Sequence, residues 1–69
     1  MIKVVVDYDP TRREIVAVHL FLAHEEKEAE LCRAGLTRDH PKRKISLITS
    51  SCLREAKRKH AQLVAEDQP

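Results

Sequence analysis

Cysteine and histidine are the first residues in this chain that could do chemistry. Cys32 precedes His40 by eight positions, and Cys52 precedes His60 by the same interval. A repeated Cys/His pair invites a zinc reading, but structural zinc sites take ligands a few residues apart on tight knuckles. Two residues eight apart on one helix are separated by about 12 Å along its axis. Cys52 and His60 therefore cannot share an ion, and a site would need Cys32, His40 and a further ligand from another element. No metal is expected.

Cys52 falls near the start of a helical pattern, where unpaired N–H groups favour a thiolate, and Arg54 is close by. A nucleophile also needs a base, and none stands at a fixed spacing, so Cys52 reads as a small residue at a helix start. His60 lies amid an apolar helical sector and His19 amid aliphatic strand residues, both suited to core or interface positions. His24 and His40 read as surface residues. Gly35 is the only glycine, so no glycine-rich loop can cradle a nucleotide phosphate. Ser50 and Ser51 could hold an anion at a helix start, but hydroxyls there are ordinary caps. The chain is read as a non-enzyme without a cofactor.

The most informative cluster is basic. From Arg33 to His60 nine basic residues face two acidic ones, a net of +7, whereas Met1 to Cys32 carries −3. The candidate phosphate contacts are Arg38, Lys42, Arg43 and Lys44 on a loop, with Arg54, Lys57 and Arg58 on a final helix. Arg54 and Arg58 are one turn apart and present together. Glu55 and Lys59 form an i,i+4 pair, so part of the run is a salt-bridged, solvated face. Tyr8 and Phe21 are the only large aromatics and give no stacking platform for single-stranded bases. Contact with nucleic acid should therefore be to a duplex.

These side chains must be positioned by short elements. Ile2, Val4, Val6 and Tyr8 alternate with Lys3, Val5 and Asp7, the period of a strand. Asp9-Pro10 and the residues to Arg13 supply turn chemistry, and the β-branched run from Ile15 completes a hairpin. Thr11-Arg12-Arg13-Glu14 also matches a capping box and could open a helix running to Gly35. Ile15, Val16, Val18, Leu20, Phe21 and Leu22 would then spread around that helix rather than form a stripe.

Strand two is apolar on both faces and is expected at the centre of the sheet. A helix from His24 to Ala34 should stop at Gly35, with a loop from Leu36 to Arg43 after it. Ile45 to Thr49 forms a third strand, expected parallel to a neighbour through a crossover. A helix from about Cys52 to Glu66, capped by Ser50 or Ser51, closes the domain. The fold class is α+β, β-β-α-β-α, with a three-stranded sheet packed on two helices. Residues 1–66 make a single domain, and 67–69 should fray.

Sixty-nine residues hold one core and bury only about 60% of the surface the unfolded chain exposes. Small domains of this kind need a staple. A single bridge between Cys32 and Cys52 is sparse, and neither an export signal nor a membrane span is visible, so free thiols and a cytoplasmic address are expected. A homo-oligomer, most simply a dimer, is the preferred staple. Two short helices should cover one sheet face and leave the other, with Ile15, Ala17, His19 and Phe21, for a protein interface. Two functional readings follow. One is a small nucleic-acid-binding or transcription-accessory protein using its basic loop and last helix. The other is a protein-binding module, a phage-like or regulatory inhibitor or adaptor, docking through an apolar sheet face or strand edge.

Overall fold

The computed structural model describes residues 1–67, in the order β1 (Ile2–Asp9), β2 (Glu14–Leu22), α1 (Glu26–Asp39), β3 (Lys44–Ser50) and α2 (Leu53–Asp67). The α+β class and the β-β-α-β-α order are as expected. α2 runs one residue past the anticipated domain limit, and the rest of the expected frayed tail lies outside the described residues.

The β1–β2 hairpin forms in the register Ile2↔Leu22 to Asp9↔Glu14. Asp9 Oδ1 accepts from the backbone N–H groups of Thr11 (2.9 Å) and Arg12 (3.3 Å), an aspartate turn that mimics backbone pairing. Arg13 completes the reversal in the left-handed region, at φ 55°. A register shift at Asp7/Tyr8 leaves Val16 as an extra residue in β2.

Two expectations about the sheet are overturned. The strand order is β2-β1-β3, so β1 is central and β2 lies at an edge. β3 pairs antiparallel with β1 rather than parallel to a neighbour. The physical reason is the crossover. α1 carries the chain from β2 over β1, so β3 runs in the direction of β2 but docks on the far side of β1. Two-sided apolarity marked both strands, and Val4, Val5 and Val6 fill the fully covered position, at most 1% exposed.

The helices also depart from the expected layout, because they lie on opposite faces and do not touch. α2 packs on the face of Val4, Val6 and Ile48 through Ala56, with Leu53, Ile2 and Val18 around that core. α1 lies on the face of Lys3, Val5 and Asp7, where Ala29 is buried and Glu26 comes within 3.9 Å of Lys3. α1 reaches all three strands, whereas α2 reaches only β1 and β3. The α2 side of β2 is therefore uncovered.

α1 does not stop at Gly35, whose φ is not positive, but continues to Asp39. Thr37 Oγ1 donates to the Arg33 carbonyl (2.8 Å), and nothing interrupts the pattern before Pro41. The residue preceding proline is pushed out of the helical region, and His40, at φ −132°, ends the helix there. At the start of α2 the serines do not cap backbone N–H groups. Ser51 Oγ donates to Glu55 Oε2 (2.6 Å) and Ser50 Oγ to the Cys52 carbonyl (3.0 Å).

Candidate functional site

The structure divides the basic residues predicted to act together. Lys44 pairs with Tyr8 in the ladder, so the Arg38 to Lys44 segment lies at the Tyr8 end of the sheet. Arg54, Lys57 and Arg58 lie on α2, over the Val4 and Val6 face, and all three are exposed. The ladder gives that same face to Lys44 through Tyr8, whereas Arg43 turns to Asp7 on the other.

Within the first group the partners differ. Arg38 lies 3.5 Å from the Asp39 carboxylate, both exposed. Lys42 and Lys44 are exposed, on the loop and at the first position of β3. Arg43 turns inward, its Nη1 donating to Asp7 Oδ2 at 2.8 Å. Asp7 is only 2% exposed, and its Oδ1 is buried with no hydrogen-bond partner among the described residues. Sequence reasoning assigned Arg43 to phosphate contact on the loop and read Asp7 only as an alternating residue of the first strand. The available signal was that Val4-Val5-Val6 is apolar on both faces, so the next residue enters a buried environment and its carboxylate needs a cation.

In the second group, Arg54, Lys57 and Arg58 make no ion pair with any described residue. Their i, i+3, i+4 spacing places them together on the helix surface. Lys59 is different: its Nζ donates to the Thr49 carbonyl (3.0 Å) and pairs with Glu55 Oε1 (3.0 Å). Hydrogen bonds from Ser51 and Lys59 hold the Glu55 carboxyl down to about 2. Glu55 therefore stays ionised but engaged, and it does not neutralise the three cations beside it.

Compared with known protein families, curated proteins and solved structures, the chain shows no significant match. The surfaces stand on their own geometry.

The remaining candidates are placed as follows. His60 is buried and stacks edge-on against Tyr8, ring centroids 5.2 Å apart at 65°. Burial holds its pKa below the ordinary histidine value. Cys32 is half-buried, which pushes its thiol up, and Cys52 is exposed ahead of α2. Both are free thiols, and no three His, Cys, Asp or Glu side chains among the described residues converge as a metal site.

Of the interface candidates, Ala17, His19 and Phe21 are half-buried on the α1 side. Ile15, opposite Tyr8 beyond the register shift, is exposed. The apolar surface left bare is thus on the other face from the one expected. It carries Leu20 (56% exposed) and Leu22 (55%), with Ile15 (42%) farther along the strand. No described helix is long and apolar enough to cross a membrane.

Proposed function

We propose that this protein binds the phosphate backbone of duplex nucleic acid through the outer face of α2, as a small accessory protein rather than an enzyme. One observation carries the reading: Arg54, Lys57 and Arg58 are exposed, adjacent and without an ion pair among the described residues, while Arg43 and Lys59 are engaged within the fold. Guanidinium groups suit phosphate because their planar forks match its oxygens, and each contact releases counterions. The absence of exposed aromatic rings favours contact with backbone and grooves over stacking on unpaired bases.

Anisotropy titrations of a fluorescent duplex at several salt concentrations test the reading. Affinity should fall steeply with salt, and Arg54→Ala with Arg58→Ala should flatten log K against log salt by about 0.9 per lost contact. Lys42→Ala, on the loop between α1 and β3, should change it less. Binding that ignores both salt and these substitutions would overturn the reading.

A second reading is favoured by the bare apolar side of β2, an edge strand with Leu20 and Leu22 more than half exposed. Such an edge suits strand addition by a protein partner, as in a regulatory inhibitor or adaptor. This mode should be nearly indifferent to salt, so the same titration series against a protein partner separates the two.

A further inference from the structure

The two edges of the sheet are treated differently. Along β3, antiparallel alternation turns the backbone groups of Ile45, Leu47 and Thr49 outward if those of Ile48 and Ser46 pair with β1. Lys59 Nζ occupies the Thr49 carbonyl, placing a charge on that edge. Lysine on an edge strand blocks pairing with another chain.

At the other edge, the Leu22 N–H donates to Glu25 Oε1 (2.8 Å) and the Leu22 carbonyl accepts from the Glu25 N–H (2.9 Å). Leu22 therefore turns its backbone groups away from β1, and alternation turns those of Leu20 and Val18 the same way. Glu25 closes the strand only at Leu22. From Ile15 to Leu22 the edge carries no carboxylate, lysine, arginine or proline, so neither charge nor proline guards it and the bulge at Val16 is its one irregularity.

We propose that β2 pairs antiparallel with β2 of a second copy across a two-fold axis at Val18, joining the two sheets into one. This inference is independent of phosphate binding. The strand is complementary to itself in that register. Val18 meets its own copy, Val16 stands opposite Leu20 of the partner subunit, and Ala17 stands opposite the partner's His19. No like charges are opposed.

Charge completes the match at both ends. The same register lays the Arg12–Arg13 turn beside residues 23–26 of the partner subunit, the acidic start of its α1. Arg12 is 76% exposed on its side chain, its ion pairs among the described residues being 3.9 Å contacts to Asp9 and Glu14, and Arg13 makes no ion pair with a described residue. On the acidic side, Glu26 is 79% exposed on its side chain and its contact to Lys3 is 3.9 Å. A parallel pairing would lay Arg12 and Arg13 against themselves. Isologous two-fold contacts of this sort make closed dimers.

Sedimentation and engineered cross-linking test the proposal. The full chain should sediment at twice its monomer mass. Leu20→Lys, at an exposed site, should give a monomer with an unchanged far-ultraviolet circular dichroism spectrum. In a Cys32→Ser/Cys52→Ser background, Val18→Cys should form a disulfide-linked dimer on mild oxidation, because directly opposed residues of a hydrogen-bonded pair lie about 5.5 Å apart at Cα, within disulfide range. Leu22→Cys, set apart from its copy in this register, should cross-link poorly. A wild-type chain that stays monomeric, a dimer untouched by Leu20→Lys, or stronger cross-linking at Leu22 than at Val18 would each overturn it. A monomer that binds a different protein through Leu20 would assign the edge to that partner and likewise exclude the second copy.

Discussion

Arg43 Nη1 stands 2.8 Å from Asp7 Oδ2, which ties the loop after α1 to the central strand of the sheet. Asp7 is nearly devoid of solvent contact, and its second carboxylate oxygen has no described partner, so the guanidinium is the main compensation for a buried charge.

Removing that cation should be among the most damaging substitutions away from the apolar core. Arg43→Ala should lower unfolding free energy by about 3 kcal/mol, the low end for breaking a buried pair, because the Arg43 side chain retains some water. Replacing both partners, as in Asp7→Val with Arg43→Leu, should recover most of the loss. Urea unfolding of the single and double variants measures both. A neutral Arg43→Ala would show that the pair is dispensable.

Gly35 sits inside α1 without positive φ, and a Cβ added there would meet no atom within 4 Å. The backbone entropy that glycine loses on folding is therefore offset by no packing or turn requirement. Gly35→Ala should stabilise the protein by about 0.5–1 kcal/mol, seen as a higher urea midpoint at unchanged m-value.

These two residues also show how far the sequence could be read. Local pattern located every element: alternation marked the strands, the Asp9-Pro10 turn marked the hairpin, and the apolar sector marked α2. Element ends were less legible, because glycine after a helical run is a stop only if the chain must turn there, and Pro41 proved the stronger breaker. Strand order and the placement of helices on the two faces depend on where a crossover lands, which no local pattern encodes. The same gap hid the role of Asp7. Val4-Val5-Val6 signalled its burial, but that Arg43 would be its partner depends on where the loop after α1 lands. The basic residues were identifiable by type, but that Arg43 turns inward to Asp7 while Arg54, Lys57 and Arg58 stay exposed follows from tertiary placement alone.

His60 supplies a pH dependence whose sign can be worked out. Its folded pKa lies below the ordinary value of 6.5 because burial disfavours the cation. As pH falls below 6.5 the unfolded chain takes up a proton that the folded chain resists, so stability declines until the folded pKa is passed. His60→Phe, which keeps a ring against Tyr8, should flatten stability in this window. Glu55 acts farther down. Its pKa near 2 contributes stability that is present above the ordinary carboxylate value of 4.5 and is lost as pH falls through about 2. Ser51→Ala should raise the Glu55 pKa, read by NMR titration, since the serine hydroxyl is the largest cause of the depression.

The Lys59 contact to the Thr49 carbonyl yields a prediction about assembly. With β2 occupied by a second copy, a dimer would have two remaining edges, both β3. If those edges could also pair, each dimer would be bivalent and growth would not close, the route to an extended cross-chain sheet. Lys59 prevents this by placing an ammonium where an incoming N–H would otherwise find its acceptor. Lys59→Ala should therefore leave the core intact, because Lys59 is only partly buried and Ala56 and His60 supply the contacts to the sheet. It should nevertheless give species heavier than a dimer in sedimentation and concentration-dependent light scattering. Adding Leu20→Lys to that variant should limit assembly to pairs joined through β3. If Lys59→Ala remains as small as the wild type at every concentration, the lysine is not what guards that edge.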